Sequence, residues 1–184
     1  MEYRRVHSED FEQIVALQNK NLVEILDQTE QKDGFLSAAF SVEEFQAMDE
    51  DLCVVVCVDA GQVCGYACAS SVEYNQQFPL VAAMIERFQK IHYQAKPLTS
   101  YRSFIYGPVC IDKAYRGQGV LTGLFNQMQK LLRERESPPE LLIVLISAQN
   151  ERSLKAHQKL GIEMIDQFLF KDKLFWVLVR LITK

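Results

Sequence analysis

Val109-Cys-Ile-Asp-Lys-Ala-Tyr-Arg-Gly-Gln-Gly-Val-Leu-Thr122 is the stretch on which the reading of the fold turns. It joins a strand-like run, Phe104–Ile111, to Val120–Arg135. In the latter, Val120, Leu121, Leu124, Phe125, Met128, Leu131 and Leu132 make one broad apolar face of a helix. Ser137-Pro-Pro ends that helix, and Leu141–Ile146 follows as a continuous apolar run, the pattern of a strand buried on both faces. A strand, a helix and a strand of these lengths predict a parallel βαβ unit. Gly107-Pro108 interrupts the first strand. A proline cannot donate to a ladder, so a bulge or a splayed strand is expected there.

The chain has only eight glycines, where average usage in 184 residues gives about 13. Four of the eight fall between Gly107 and Gly123. Gly117 and Gly119 permit backbone angles that other residues resist and let a ligand approach the main chain closely. The helix that follows offers unpaired N–H groups and the positive end of its dipole. Together with the fixed charge of Arg116, these predict an anion site suited to a pyrophosphate. Two known phosphate motifs fit poorly. A P-loop needs Gly-Lys-Ser/Thr, but Gly123 is followed by Leu124. The dinucleotide fingerprint needs Gly-x-Gly-x-x-Gly, whereas Gly117, Gly119 and Gly123 are spaced one residue looser.

Working outward, Tyr3–Val6 reads as a short strand. Phe11, Ile14, Val15, Leu22 and Ile25 then recur at helical spacing, with Ser8 as the cap. Gln28–Phe40 reads as a loop, and Ser41-Val-Glu-Glu44 as the capping box of a second helix through Met48. Leu52–Val58 and Val63–Ser71 predict a hairpin turning at Ala60-Gly61. Phe78–Ile91 has helical spacing, and Gln94–Ser100 is a loop. Asn150 caps a helix through Leu160 that Gly161 closes, and Ile162–Phe170 with Leu174–Ile182 form a terminal hairpin.

Apolar residues make up 48% and charged residues 24%, with a net charge of −4. This predicts an ordered globular chain rather than disorder, and the acidic balance argues against a nucleic-acid partner. No apolar run approaches the roughly 20 residues of a membrane span, and no secretory signal is seen, so a cytoplasmic, membrane-free protein is expected. The hairpin register would set Cys57 against Cys64 and Cys53 against Cys68. A disulfide or metal site is imaginable there, but buried free thiols are the favoured reading, with no metal.

The segment Arg116-Gly117-Gln118-Gly119-Val120-Leu121 resembles motif A of the GCN5-related N-acetyltransferases (GNAT), Arg/Gln-x-x-Gly-x-Gly/Ala, with Leu121 in place of the final Gly or Ala. A later helix of the family reads approximately Asn-x-x-Ala-x-x-Phe-Tyr-x-Lys-x-Gly-Phe. Here Asn150, Lys159 and Gly161 match, Ser153 replaces the small residue, and His157 stands at the tyrosine. The resemblance implies a GNAT-like α/β fold: a mixed, mostly antiparallel twisted sheet with a splayed parallel pair and flanking helices. It implies one domain over 1–184 with a helical insertion at about 72–100. It further implies an N-acetyltransferase moving an acetyl group from acetyl-CoA to a primary amine of a small molecule or protein by direct attack. Val109, Cys110 and Ile111 would meet the pantetheine arm. Arg116, Gly117, Gln118, Gly119, Val120, Leu121 and Thr122 would hold the pyrophosphate, with Asn150 and Ser153 beside them.

His157 is the candidate proton donor to the leaving thiolate. Tyr106, where the preceding strand lacks a carboxylate, joins it in the catalytic set as a pocket wall. Glu73 and Asp112 are the candidate carboxylates to reach an amine through a water. Phe35, Phe40, Tyr74, Phe78, Tyr93 and Tyr101 are candidates to shape the acceptor slot. The alternatives are a non-catalytic acetyl-CoA-binding module of the same fold, or a nicotinamide-dependent oxidoreductase. A homodimer is compatible with either.

Overall fold

The computed structural model describes residues 1–182. In chain order the elements are β1 (Glu2–Arg5), α1 (Phe11–Asn19), α2 (Gln28–Gln31), α3 (Val42–Asp51), β2 (Cys53–Asp59) and β3 (Gln62–Ser71). Then come α4 (Val72–Asn75), α5 (Pro79–Ile85), β4 (His92–Tyr93), β5 (Lys96–Pro97), β6 (Ser103–Ile111) and α6 (Val120–Arg133). The chain closes with β7 (Leu141–Ser147), α7 (Glu151–Lys159), β8 (Glu163–Phe170) and β9 (Lys173–Leu181). Seven strands form one sheet in the order β1-β2-β3-β6-β7-β9-β8, and β4 and β5 make a separate small hairpin. Every neighbouring pair in the large sheet is antiparallel except β6–β7. This is the mixed sheet expected from the sequence.

Both faces of the sheet are covered, which explains the unbroken apolar runs in β2 and β7. On one face Val120, Leu124, Phe125, Met128 and Leu132 of α6 pack on Val55, Ala67, Phe104 and Leu142. On the other, Ile14 and Leu17 of α1 and Phe45 and Met48 of α3 pack on Val54, Val56, Tyr66 and Cys68. The segment between β3 and β6 covers the far half of that second face, where Met84, Phe88 and Leu98 meet Ile143, Phe168, Val177 and Val179. Arg87 fastens this segment to β8 by two hydrogen bonds to Asp166, 2.9 and 2.6 Å.

Three local expectations are corrected. Ser8 caps nothing; Ser8–Asp10 is a 3-10 turn closed by Asp10, whose carboxylate accepts from the His7 N–H at 2.8 Å and from Arg4 at 2.6 Å. The first helix stops at Asn19 rather than running to Ile25. The Asn21 side chain binds back to the Leu17 carbonyl, Leu22 pairs with Leu36 in a short bridge, and Ile25 is left 67% exposed. The helical spacing expected over Phe78–Ile91 gives only α5, which starts at Pro79 and ends at Ile85, where successive turns replace it before β4.

The cysteine register is shifted as well. An irregularity between Cys57 and Val58 sets Cys57 opposite Gly65 and Cys53 opposite Ala69. All five cysteines are free and buried, as the favoured reading had it. The Cys64 thiol donates to the Cys57 carbonyl at 3.3 Å.

Gly123 has a packing reason. A Cβ there would collide with the Tyr3 ring, which rests on α6 at that point. Gly123→Ala is therefore expected to lower stability by about 1 kcal/mol despite its better helix propensity, read from chemical denaturation. The thiols give a second test. Burial pushes Cys53, Cys64 and Cys110 up to about 12, so little thiolate exists at neutral pH. A thiol reagent should label the folded protein slowly and all five cysteines quickly in denaturant.

Candidate functional site

Strands β6 and β7 pair over three positions only, Ser103↔Leu141, Phe104↔Leu142 and Ile105↔Ile143. Beyond Ile105 they part. The cause lies in β6, where Ala67–Ala69 of β3 faces Val109–Tyr106, so three steps oppose two and Gly107-Pro108 carries the extra residue. Gly107 sits at φ +130°, a conformation glycine tolerates. The expected bulge and splay are both present. A cleft of about 680 Å³ lies beyond the bulge, between the end of β6, the start of α6, the start of α7 and the segment Lys32–Leu36.

The start of α6 forms one wall. Gly117 and Gly119 have φ of +78° and +81°, and a Cβ at either would meet nothing within 4 Å. The glycines are thus required by the backbone turn rather than by crowding. The first helical hydrogen bond runs from Gly123 N–H to the Gly119 carbonyl, at 3.0 Å. The amides of Val120, Leu121 and Thr122 therefore have no intrahelical acceptor, and no side chain among the described residues caps them. By contrast, Asp27, Ser41 and Asn150 cap α2, α3 and α7. An uncapped helix N-terminus facing a cleft is a ready anion site.

The cleft brings together most of the residues singled out by sequence: Val109, Cys110, Ile111, Arg116, Gly117, Gly119, Val120, Leu121, Thr122, Asn150, Ser153 and His157 all line it. Gln118 does not; its amide turns back to the Ala114 carbonyl, 2.8 Å away. Tyr106 does not either. Its ring is buried in the core edge-on to Phe125, its hydroxyl has no partner among the described residues, and burial pushes its pKa up. It touches the site only through His157, ring to ring at 5.7 Å.

Arg116 is placed differently from expectation. Its guanidinium donates to the Ile111 carbonyl at 2.9 Å, to the Asp33 carbonyl at 2.7 Å and to Asn21 Oδ1 at 2.6 Å. It fastens the wall rather than presenting a free fork. His157 is buried, with Nδ1 2.7 Å from the Ser153 carbonyl. A carbonyl only accepts, so Nδ1 carries the proton and Nε2 holds a lone pair. Nε2 is buried with no partner among the described residues, and burial lowers the imidazole pKa. At neutral pH the side chain is an acceptor, and donation from Nε2 requires that a proton first be added.

Sequence reasoning missed the third wall, the strap Lys32–Leu36. Asn150 Nδ2 donates to the Phe35 carbonyl at 2.8 Å while its Oδ1 caps α7 at Ser153. Gly34, at φ +98°, makes the bend. Only Phe35 of this strap was expected near a substrate. Of the other aromatics, Phe40, Tyr74 and Phe78 form one cluster with Phe45, while Tyr93 and Tyr101 pair elsewhere. Charge along the cleft is lopsided. Lys32, Arg116, Arg152, Lys155 and Lys159 line it against two carboxylates, Asp33 and Glu151.

The Acetyltransferase (GNAT) family profile matches residues 19–162. No curated protein sequence matches the chain. Among solved structures, Ard1 from Thermoplasma volcanium has a TM-score of 0.66 at 12% identity, over 100% of this chain and 98% of that one. The ribosomal-protein-alanine N-acetyltransferase from Brucella melitensis gives 0.64 at 18% identity, over 98% and 99%. Salmonella typhimurium yncA, solved with its cofactor acetyl-CoA, gives 0.60 at 15% identity, over 100% and 95%. Likeness at these identities concerns the fold. The match to residues 19–162, carrying both the glycine turn and the Asn150 helix, is of the other kind: the chain belongs to the acetyltransferase (GNAT) family.

Proposed function

We propose that the protein is an acetyl-CoA-dependent N-acetyltransferase, a single catalytic domain acting on a primary amine of a small molecule or protein. The observation that carries this reading is the uncapped N-terminus of α6 opening into the splayed, cation-lined cleft. The amides of Val120–Thr122, with the turn at Gly117 and Gly119, take the pyrophosphate, and the parting of β6 and β7 gives the pantetheine its path. Val109, Cys110 and Ile111 would line that path with Asn150 and Ser153 beside it; all five line the cleft.

In the transfer, a neutral amine nitrogen bonds to the acetyl carbonyl carbon, and the carbon–sulfur bond breaks with its electron pair on sulfur. The nitrogen gives up one proton. Holding the reactants in line supplies much of the rate. A thiolate with an ordinary pKa near 8.5 needs only modest help to leave. His157, neutral with a free Nε2 lone pair, takes up a proton and returns it to sulfur, which reconciles its acceptor state with the expected donor role. Tyr106 supports the imidazole from behind. Its place in the core removes it from contact with the reacting atoms.

Melting curves with acetyl-CoA, CoA and NADPH in parallel test the reading. A ligand at 100 times its dissociation constant adds about 2.7 kcal/mol, so a rise of several degrees is expected with both CoA species and none with NADPH. Gly119→Val should abolish that rise, because a β-branched residue cannot hold φ near +81°. Normal affinity in this variant would remove the pyrophosphate from the α6 terminus. If both CoA species stabilise the protein but no amine releases thiol, the chain is a binding module.

His157 makes two predictions. His157→Phe should lower turnover while leaving acetyl-CoA affinity nearly unchanged. The second concerns stability. The folded imidazole resists a proton that the unfolded chain accepts near pH 6.5. Its contribution is therefore full above the unfolded value and is lost as the pH falls through it, until the folded group also titrates. His157→Gln should flatten that acid slope in denaturant titrations compared at about pH 5 and about pH 7.5.

A further inference from the structure

The commitment of Arg116 leaves a question of charge. Its guanidinium is engaged by two carbonyls and an amide oxygen, so the phosphates of a bound coenzyme need another cation. Two cations converge beside the strap, Arg152 in the lining of the cleft and Lys113 in the smaller hollow next to it, which shares Asp33 and Arg116 with the cleft. Arg152 rises from the first turn of α7, and Lys113 from the turn after β6. Both face one carboxylate, Asp33 on the strap, at 3.0 Å and 3.7 Å.

We propose that Asp33 is a displaceable counterion, and that Arg152 with Lys113 forms a second anion subsite that a phosphate of CoA takes over from it. This inference rests on the acetyl-CoA reading above. The Asp33 carboxylate is a single negative charge between two cations, the position a phosphate oxygen would take over. A phosphate carries more charge and offers Arg152 a bidentate partner, so it outcompetes the carboxylate.

The strap does not need that carboxylate to keep its place. The Asp33 carbonyl is held by Arg116, the Phe35 carbonyl by Asn150, and the Leu36 amide by the Asn21 carbonyl. All of these are bonds to main-chain atoms of the strap. The ion pairs themselves are open to water, with Asp33 40%, Arg152 49% and Lys113 68% exposed, so they add little to folding stability. The other cleft carboxylate, Glu151, is occupied along its own helix by Lys155 at 3.2 Å and does not span the mouth. A charged side chain that bridges both cations, contributes little to stability and sits on a backbone already secured is suited to being exchanged.

The test is calorimetric titration with CoA of the wild-type protein, Asp33→Asn, Arg152→Gln and the double variant. Exposed ion pairs of this kind are worth up to about 1 kcal/mol, so Asp33→Asn should bind CoA roughly two- to fivefold more tightly than wild type. Arg152→Gln should weaken binding, and the gain from Asp33→Asn should shrink when Arg152 is also changed. A strap that merely needs Asp33 as a brace gives the opposite sign. Equal or weaker CoA binding by Asp33→Asn overturns the inference, as does a gain that Arg152→Gln leaves intact. If the wild-type protein fails to bind CoA, the coenzyme reading falls, and this inference with it.

Discussion

The parallel contact between β6 and β7 lasts for three residue pairs, and everything functional follows from its ending there. Had the ladder continued past Ile105, the edges of the two strands would have satisfied one another and no cleft would exist. What stops it is Gly107-Pro108. Proline has no N–H to donate, and glycine at φ +130° absorbs the extra residue that the bulge inserts. On its other side β6 resumes its pairing with β3 at Val109, beyond the bulge, so the sheet stays continuous there. The apolar faces of α6 and the β3–β6 segment then hold the parted strands from either side.

Arg116 is the second fixed point. One side chain ties the end of β6, the strap and the turn just after α1 together, through Ile111, Asp33 and Asn21. Its positive charge lies beside the α6 amides, yet its hydrogens are spent on carbonyls. Such a residue shapes an anion site by positioning walls and by its field more than by direct grip. Asn150 does the same from the opposite lip, capping α7 with its oxygen and holding Phe35 with its nitrogen. The two motifs seen in the sequence thus meet across the strap, although Arg116 and Asn150 stand 34 positions apart in the chain.

Where the chemistry is local, the sequence was legible. Gly117 and Gly119 announce their turn because only glycine is easy at those angles, and Asn150 announces a helix because its side chain caps the next turn. The amphipathic face of α6 and the double-sided burial of β7 show in the spacing of apolar residues. What stayed hidden depends on contacts far apart in the chain. Nothing near Arg116 says that it will meet Asp33 and Asn21, and nothing near Tyr106 says that a residue one step before the bulge stays in the core. The strap, only five residues from Lys32 to Leu36, is too short to carry a periodicity from which its place over the cleft could be read. The end of α1 was misjudged for a related reason: Leu22 and Ile25 continue the helical spacing, but Asn21 turns back on the Leu17 carbonyl and the chain leaves the helix axis.

The balance of charge ties these threads together. A chain of net charge −4 ought to repel a polyanion at long range. The cleft reverses that sign locally, since cations outnumber carboxylates along its walls and the α6 dipole points its positive end inward. At physiological ionic strength fields decay over about 8 Å, so the distant acids are screened while the cleft's own groups act at contact range. The distribution of charge therefore matters more than its total. Within that distribution the two kinds of attraction differ. The amides of Val120–Thr122 are fixed in the backbone and always point the same way. The side-chain cations are held by neighbours, Arg116 permanently by carbonyl oxygens and Lys155 by Glu151 along its own helix. A rigid backbone cradle supplies the geometry, and the surrounding cations supply a local potential that the chain's overall charge would not.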